Sequence, residues 1–511
     1  MSWFLIITLF SFFLLRLPSL FEPYWYPEEG IYQVIGMALN NGSLLYKDIW
    51  DNKPPLLYLL YALFNSDQFA VRLASLIFGL LSVLVFFFLS KKLFPQTQGS
   101  NKIYFFTTFV FILLLGLPII EGNIANAENF MLLPILIAAL LIVGVITLSS
   151  TPQNPTHKKH PALYLIHNTY YLILFSAGIL LGVAFLFKIV AVFDFIAFFT
   201  FLFITNLPYK DLSLQKEKKY FISFIQKMTP FIFGFLILTF IAVFYFWTKG
   251  ALVDFLRATF LSGIGHVSWQ NKLIFPQGLL LLKTILLIIS ISLIARKRTT
   301  FTKNTTFILL WFVFSLFNAF FPGRPYTHYL LVLLPSFSLM LGLIFWNKRY
   351  QKAIIIFFIV VFILVFKNFN FYGKIIAYYQ NFASFIIGQK PVFSYRAFFD
   401  KRTPIDYEVA MFVKSKIRKK DSTPIQSGSI FIWGNNAQVY KMVGSIPPGK
   451  YIVAYHIMGY KDGFTNTKDS IEKIKPRFII IMPDQKPIPF KLIHYLERIS
   501  INNVLIYERF F

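Results

Sequence analysis

The sequence predicts a polytopic α-helical membrane protein of about eleven transmembrane helices, with an extracytoplasmic α/β domain at its C-terminus. Of its 511 residues, 57% are hydrophobic and only 14% are charged, a composition far from that of soluble globular domains. Apolar runs recur along the first 367 residues, and about 20 apolar residues are enough to cross a ~30 Å hydrocarbon layer. Beyond residue 367 the pattern changes to alternating strands and helices.

The predicted transmembrane domain covers residues 1–367. Its apolar spans are expected near residues 2–20, 68–90, 103–120, 129–149, 169–187, 189–207, 229–247, 277–295, 305–321, 328–346 and 353–367. Clusters of Lys and Arg follow every second span, such as Lys91 and Lys92 after the second span. Because positively charged loops stay in the cytoplasm, the N-terminus is expected there, with the C-terminal domain outside. The cell (plasma or inner) membrane is the expected location.

The formal net charge of +27 does not indicate a nucleic-acid partner, because the positive residues lie in short loops and form no basic face interleaved with aromatic residues. Membrane lipids are the expected partners. Acidic residues show the opposite bias and concentrate in the loops predicted to lie outside: Glu22, Glu28, Glu29, Asp48, Asp51, Asp67, Glu121, Glu128 and Asp254. Since acidic residues contribute little to topology, we interpret this bias as a sign of chemistry at the outer face.

The long first outer loop, residues 21–67, is predicted to contain helices that lie in the membrane interface. Ile31, Val34 and Ala38 recur at helical spacing, and Asn-Asn-Gly at 40–42 is a helix stop. Such a helix would bury its apolar side and turn its polar side toward a cavity.

Residues 368–511 are predicted to form the α/β domain. Strands are expected at 428–434, 451–457, 477–482 and 504–509, and helices at 406–419, 467–474 and 489–499. This alternation predicts a small, largely parallel layered structure. The domain contains Tyr455 and His456, but no arrangement in it is predicted to be catalytic.

Two adjacent carboxylates just outside the first span are the strongest local signal for catalysis. The segment 26–32 has the sequence Tyr-Pro-Glu-Glu-Gly-Ile-Tyr. If it is helical from Glu28, Tyr32 shares a face with Glu28 and Glu29. Either carboxylate would serve as a general base toward a hydroxyl group. The alternative is a pair of solvated interfacial acids.

A second signal lies further along the same loop, where the segment 46–56 has the sequence Tyr-Lys-Asp-Ile-Trp-Asp-Asn-Lys-Pro-Pro-Leu. Lys53 precedes two prolines, which favour extended backbone, and its ammonium group would suit a lipid phosphate. Asp48 and Asp51 are expected to support it. The alternative is a lysine that snorkels to the membrane surface.

Further ionisable or polar residues occur near the outer ends of later spans. They are Glu128, Lys188, Arg324, His328 and Tyr329. Ionisable residues at membrane depth are costly and are usually functional or paired. Under the same rule we interpret Arg72 and Asp194 as structural partners.

Five segments, taken in order, resemble the GT-C membrane glycosyltransferases, most of all the bacterial branch related to protein O-mannosyltransferases and the lipid A aminoarabinose transferases. They are Pro-Glu-Glu-Gly-Ile-Tyr at 27–32, the segment 46–56 quoted above, Asn-Ala-Glu-Asn-Phe at 126–130, Gly-Val-Ala-Phe-Leu-Phe-Lys at 182–188 and Gly-Arg-Pro-Tyr-Thr-His-Tyr-Leu-Leu at 323–331. The resemblance spans nearly all of the first 350 residues.

The resemblance implies a polyprenyl-phosphate-linked sugar as donor, a hydroxyl acceptor on a protein, lipid or envelope glycan, and inversion at the anomeric carbon. It places Glu28, with Glu29 beside it, at the catalytic acid of the first outer loop, where the family usually has aspartate. Lys53 matches the lysine that holds the donor phosphate. The remaining implied positions are Glu128 as a second acid at the donor or acceptor site, Arg324 and His328 near the phosphate with Lys188 less closely matched, and Tyr32, Asp48, Asp51 and Tyr329 in support. No cofactor is required, although the paired acids would also suit a divalent metal ion.

Two other functions fit a chain of this kind. A transporter or flippase of lipid-linked sugars also carries intramembrane charges, but it is expected to show internal repeats and broken spans in matching positions, which the sequence lacks. A non-catalytic scaffold that displays the C-terminal domain leaves the acid-rich first loop unexplained. Among enzymes, an oligosaccharyltransferase would also use a lipid-linked donor, but the Trp-Trp-Asp signature of that class is absent.

Overall fold

The computed structural model describes residues 2–94, 101–149, 161–206, 214–262, 279–346, 351–369, 371–417, 427–483 and 485–510. In this part of the chain the first 369 residues form a helical bundle. Its helices are α1 (Ser2–Arg16), α2 (Pro27–Asn40), α3 (Pro55–Leu63), α4 (Gln68–Leu93), α5 (Asn101–Gly116), α6 (Ala127–Ser149), α7 (Pro161–Phe187), α8 (Val192–Asn206), α9 (Leu214–Thr248), α10 (Leu252–Leu256), α11 (Leu280–Arg296), α12 (Lys303–Phe320), α13 (Leu334–Trp346) and α14 (Gln351–Asn368). Short 3-10 segments precede or follow several of them.

Each of the eleven predicted apolar spans falls on a helix. Within the described ranges, nine helical spans are long and apolar enough to cross a membrane: Trp3–Phe21, Gln68–Leu93, Ala127–Val145, Thr169–Phe187, Ile189–Asn206, Phe221–Thr248, Lys303–Phe320, Thr327–Trp346 and Gln351–Asn368. The other two, α5 and α11, have 16 and 17 residues. The chain is therefore a multi-pass membrane protein, as the sequence predicts.

Small residues bring α7 and α9 into close contact. A Cβ atom on Gly178 would lie 2.2 Å from the carbonyl oxygen of Phe231, and one on Gly234 would lie 2.3 Å from that of Phe175. Water supplies no hydrophobic driving force for helix association inside a membrane. Glycines at a helix crossing allow the two backbones to come into van der Waals contact, and this contact stabilises the pair.

The predicted helix of the first outer loop is confirmed as α2. It ends at Asn40, is followed by Asn41 as its cap, and Gly42 takes a positive φ of 84°. Ile31, Val34, Ile35 and Ala38 are almost fully buried, because α2 packs against α3 on one side and against the C-terminal domain on another. The apolar face of α2 is thus covered by protein.

The C-terminal domain combines six helices of the described residues with a four-stranded sheet. The helices are α15 (Ile375–Ile386), α16 (Val392–Phe399), α17 (Thr403–Ile417), α18 (Gln438–Val443), α19 (Ala454–Gly459) and α20 (Gly463–Ile474), and the strands are β1 (Ile430–Trp433), β2 (Phe478–Ile481), β3 (Tyr495–Ile501) and β4 (Val504–Arg509). The strand order is β1-β2-β4-β3; only β1 and β2 are parallel, and the other two pairs are antiparallel.

Two predicted elements of this domain are wrong, and so is the predicted strand arrangement of its sheet. The segment 451–457 was expected as a strand, but α19 begins at Ala454, whose N–H donates to the carbonyl oxygen of Gly434. The segment 489–499 was expected as a helix, but β3 begins within it. The two-residue turn Asn502–Asn503 has φ of 47° and 65°, the conformation that favours a tight hairpin. The sheet is consequently mixed instead of largely parallel.

Candidate active site

Glu28 lies at the start of α2, where Pro27 occupies the first turn and both acids face the positive end of the helix dipole. The hydroxyl group of Tyr32, one turn further along, donates to Oε2 of Glu28 at 2.6 Å. The side chain of Glu28 is 35% exposed. Its carboxylate is therefore held in place by the protein while remaining accessible.

Glu29, the next residue, turns to different partners. Its carboxylate receives two hydrogen bonds from Arg72, at 3.2 Å and 2.5 Å, and one from the N–H of Ala125 at 2.9 Å. Arg72 also forms an ion pair with Glu22 at 3.1 Å, and all three side chains are buried. This buried triad ties the start of α2 to α4, and the expectation that Arg72 is a structural partner is confirmed.

Lys53 approaches Glu28 from the second motif of the loop. Its Nζ lies 3.6 Å from Oε2 of Glu28 and 3.9 Å from Oδ2 of Asp51. Two tyrosines hold its backbone: Tyr46 donates to the carbonyl oxygen of Lys53 at 2.7 Å, and the N–H of Lys53 donates to the hydroxyl oxygen of Tyr58 at 3.1 Å. These hydrogen bonds fix the backbone of Lys53, and its ammonium group lies between the carboxylates of Glu28 and Asp51.

Asp51 is buried beneath Lys53 and links the loop to the C-terminal domain. The hydroxyl group of Tyr58 donates to Oδ2 of Asp51 at 2.6 Å. On the other side, Nε2 of His456 lies 3.6 Å from Oδ1. Because His456 belongs to α19, the C-terminal domain contributes a side chain to this site.

A second cluster surrounds Glu128 at the start of α6. Lys188 forms an ion pair with Glu128, and Nε2 of His328 lies 3.9 Å from the same carboxylate. Nδ1 of His328 contacts Oε2 of Glu121 at 3.0 Å. Glu121 also accepts hydrogen bonds from the hydroxyl groups of Tyr26, at 2.5 Å, and Thr327, at 2.8 Å. Ion pairs and hydrogen bonds therefore connect residues from four separate segments of the chain.

Tyr329 and Arg324 complete this side of the site. The ammonium group of Lys188 lies 4.6 Å from the ring centre of Tyr329, a cation–π contact, and the ring of His328 meets Tyr329 edge-on at 4.5 Å. Arg324 is half-buried and precedes His328 and Tyr329 in the same segment.

The electrostatics join the two clusters into one site. Burial by itself acts to raise the pKa of the Glu28 carboxyl, but the charges of Lys53 and His328 lower it. The hydrogen bond from Tyr32 and the charge of Lys188 add to this effect, and the pKa falls to about 2. In the opposite sense Glu28 and Asp51 raise the pKa of Lys53 despite its burial. Glu28 and Lys53 therefore stand as an ion pair at neutral pH.

Asp48 does not reach this site. Its carboxylate accepts a hydrogen bond from the N–H of Leu44 at 2.7 Å, which closes an exposed turn of the loop. The predicted supporting role of Asp48 is therefore not reflected in its contacts, because the turn directs its side chain to its own backbone.

The paired acids Glu28 and Glu29 are the residues for which the sequence leaves a divalent metal ion open. Among the described residues, no group of three or more His, Asp and Glu side chains is arranged to hold a metal ion. Glu28 and Glu29 turn to separate partners, Lys53 and Arg72, so these neighbours do not converge on one point.

Comparison with solved structures identifies the fold. The chain is similar to the crystal structure of ArnT from Cupriavidus metallidurans bound to undecaprenyl phosphate, with 12% sequence identity and a TM-score of 0.54 over 99% of this chain and 97% of that chain. The chain has the ArnT fold. This similarity confirms the fold that was expected from the resemblance to GT-C membrane glycosyltransferases. No protein-family model and no curated protein matches the sequence.

The chain is also similar to archaeal oligosaccharyltransferase AglB from Archaeoglobus fulgidus, solved in complex with an inhibitory peptide and a dolichol-phosphate. Here the identity is 10% and the TM-score is 0.46, over 94% of this chain and 69% of that chain. A crystal structure of the Archaeoglobus fulgidus oligosaccharyltransferase in the apo form gives 11% identity and a TM-score of 0.46 over 93% of this chain and 69% of that chain.

Residues of the site that sequence reasoning missed lie in positions without a local motif. Glu121 follows a 3-10 turn and has a positive φ of 61°, and its place among the outer acids was its only signal. His456 lies in a segment predicted as a strand. Both residues reach the candidate site only through long-range contacts, which sequence periodicity does not encode.

Proposed function

We propose that this chain is an inverting glycosyltransferase that moves a sugar from a polyprenyl-phosphate-linked donor to a hydroxyl acceptor at the outer face of the cell membrane. The proposal depends on one observation: the accessible Glu28 carboxylate lies 3.6 Å from the Lys53 ammonium group. A base and a phosphate-binding cation in one site are the two groups that this transfer needs. The ArnT structure contains undecaprenyl phosphate, which supports a donor of this class.

In the proposed reaction Glu28 accepts the proton of the acceptor hydroxyl as the oxygen attacks the anomeric carbon. The bond from that carbon to the donor phosphate breaks on the opposite face, through an oxocarbenium-like transition state, and the configuration inverts. The phosphate leaves with the electron pair, so no acid is needed to protonate it. The products are the glycosylated acceptor and the polyprenyl phosphate.

Lys53 is proposed to hold the leaving phosphate, with Arg324 and His328 on the other side of the site. Fixed cations at the position where charge develops stabilise the transition state without reorganisation. Lys188 is proposed to assist from its ion pair with Glu128, and Glu128 to keep Lys188 and His328 in place. Tyr32 and Tyr329 would orient Glu28 and Lys188 through the contacts described above.

Glu29 is proposed as a positioning residue, since both of its oxygens accept hydrogen bonds from Arg72. A carboxylate in a buried ion pair is a poor base, because proton uptake would leave the partner charge without compensation. This narrows the two catalytic candidates to Glu28.

The proposed orientation follows from the positive loops: N-terminus in the cytoplasm, and site and C-terminal domain on the outer side. Cysteine accessibility would test it. Because the chain has no cysteine, a single cysteine introduced at Asp48 should react with a membrane-impermeant maleimide in intact cells, and one at Lys91 should not.

The proposed activity is tested by transfer of labelled sugar from a polyprenyl-phosphate-linked donor, with and without EDTA. Removal of a general base costs about 10²–10⁴ in rate, so Glu28→Gln should nearly abolish turnover while donor binding survives. Asp48→Asn, an exposed acid in the same loop, is the matched control and should retain wild-type turnover. Glu29→Gln should lower thermal stability, and the protein that stays folded should retain measurable turnover.

Three outcomes would contradict the proposal. Wild-type protein that neither transfers sugar nor binds the donor would favour the scaffold. Donor movement across proteoliposomes without transfer would favour the transporter or flippase. Normal turnover of Glu28→Gln would show that the base is a different residue.

A further inference from the structure

The C-terminal domain meets the first outer loop around Trp50. The N–H of Trp50 donates to the carbonyl oxygen of Lys450 at 3.0 Å. Its indole ring is buried between the rings of Tyr460, at 4.2 Å, and His456, at 4.9 Å between centroids. These contacts place α19 next to Asp51, which follows Trp50 in the chain.

Asp51 has three neighbours that compete for its two oxygens. Tyr58 donates to Oδ2 at 2.6 Å, Nζ of Lys53 lies 3.9 Å from the same oxygen, and Nε2 of His456 lies 3.6 Å from Oδ1. Asp51 is 3% exposed, so water has little access to it. The position of its carboxylate is therefore set by these side chains.

His456 is neutral in this environment. Burial lowers the pKa of its ring, and the effect of Lys53 opposes that of Asp51 and Glu28, so that the pKa is about 4. A neutral ring that faces a carboxylate with Nε2 is expected to carry its proton there. At 3.6 Å the contact is longer than a hydrogen bond, and contacts of this kind tighten when a site fills. Nδ1 is buried and has no hydrogen-bond partner among the described residues, so Asp51 is the polar group that orients the ring.

Loss of His456 would leave Oδ1 of Asp51 without its neutral partner. A buried carboxylate that loses a donor carries a desolvation penalty, and the cation within reach is Lys53. The carboxylate would then draw the ammonium group into a tighter ion pair. Because a donor phosphate needs the same ammonium group, phosphate binding would weaken.

From this geometry, and resting on the proposed function, we infer that His456 is a positioning residue supplied by the C-terminal domain: it holds Asp51 back from Lys53 and so leaves the ammonium group available to the donor phosphate. The C-terminal domain thus forms part of the donor site. His456 acts through Asp51 and does not itself contact the reacting atoms.

The test compares His456→Ala, Asp51→Asn and the double variant in the full-length protein. His456→Ala should raise the donor KM and the Kd for undecaprenyl phosphate about tenfold, because Asp51 would then hold the Lys53 ammonium group more tightly. Its kcat should change less than about threefold, because Glu28 is untouched. In the double variant residue 51 no longer carries a carboxylate that draws Lys53 away from the phosphate, so both constants should return to within about threefold of those of Asp51→Asn.

A conservative substitution and a matched control separate positioning from packing. His456→Gln retains an N–H donor near the position of Nε2 and should restore most of the donor affinity that His456→Ala loses. His494→Ala, an exposed histidine next to β3 in the same domain, should leave both constants unchanged. Limited proteolysis should show that the C-terminal domain of each variant remains docked.

Several results would overturn the inference. A donor KM unchanged in His456→Ala, or losses that simply add in the double variant, would show that His456 does not act through Asp51. Failure of His456→Gln to restore affinity would indicate a packing role alone. These results leave wild-type transfer intact, whereas wild-type protein that binds no undecaprenyl phosphate would remove the proposed function and this inference together.

Discussion

Glu28 and Glu29 are chemically identical neighbours with opposite environments. Successive residues of a helix point about 100° apart, so one carboxylate enters the accessible site and the other enters the bundle. Glu28 is 35% exposed beside Lys53, whereas Glu29 is 3% exposed and bound by Arg72. The first is thus accessible, as the proposed role of general base requires, and the second stabilises the start of α2.

A low pKa makes Glu28 a weak base in the empty site, and the donor is expected to correct this. The pKa of about 2 depends strongly on Lys53. When an anionic phosphate engages Lys53, the carboxylate loses part of that stabilisation and gains a negative neighbour, and both effects raise its pKa. Binding of the donor phosphate to Lys53 would therefore also make Glu28 more basic.

The pH dependence of transfer should show this change. Since kcat/KM reports ionisation in the free enzyme and kcat that in the bound complex, the acid limb of kcat should lie at higher pH than that of kcat/KM. Lys53→Met should shift the acid limb of kcat/KM upward, because the free carboxylate loses its closest cation. Steady-state rates between pH 3 and pH 8 locate the acid limb of kcat, whereas the acid limb of wild-type kcat/KM should lie below this range, because the pKa of Glu28 in the free enzyme is about 2. Coincident limbs, or a downward shift in Lys53→Met, would contradict it.

At the scale of elements, α2 connects three parts of the molecule. Glu28 and Tyr32 face the candidate site, and Glu29 faces α4 through Arg72. Gly30 faces the C-terminal domain, where a Cβ atom would lie 2.6 Å from the backbone nitrogen of Gln438. Glycine at this position allows α18 to pack directly against the turn that carries the proposed base.

Gly30→Ala should therefore push α2 and α18 apart without altering a proposed catalytic group. The added methyl group meets backbone atoms, which cannot move aside as a flexible side chain would, and overpacking of this kind typically costs about 1–3 kcal/mol. We expect a lower melting temperature and reduced transfer. Gly373→Ala is the control, since a Cβ atom there would have no neighbour within 4 Å. Equal melting temperatures for the two variants would show that the contact between α2 and α18 accommodates the added methyl group without strain.

At the scale of the whole molecule, the candidate site lies where the two parts of the chain meet. Besides the contacts of Trp50, Lys450 forms an ion pair with Asp254 at 3.1 Å, and the N–H of Tyr24 donates to the hydroxyl oxygen of Tyr407 at 3.1 Å. The C-terminal domain thus contacts both the first outer loop and α10. A rigid junction of this kind would keep the side chains of Asp51 and His456 close to each other.

Trp50→Ala should loosen this junction. Truncation of a buried tryptophan typically costs about 3–5 kcal/mol, and here the loss falls on contacts between the two parts. We expect faster proteolysis of the C-terminal domain and weaker donor binding. Trp3→Ala, at a position that is 77% exposed, is the matched control and should leave both unchanged. Proteolysis at the wild-type rate in Trp50→Ala would indicate that other contacts hold the domain.

The sequence by itself determined the membrane bundle, the helix of the first outer loop and the residues Glu28 and Lys53. Hydrophobic runs specify membrane spans because the cost of exposing apolar surface depends on local composition. The helix α2 was predictable because its apolar spacing and its Asn-Gly stop are local features. For the same reason the motif residues could be found before their contacts were known.

Only the tertiary structure decided which carboxylate faces the site, that Glu121 and His456 join it, and how the C-terminal strands pair. These features depend on contacts between segments far apart in the chain. Arg72 binds Glu29 across 43 positions, and Thr327 reaches Glu121 across 206. Helical periodicity fixes the angle between neighbouring side chains but not the partner that each one meets, and that partner sets both charge state and accessibility.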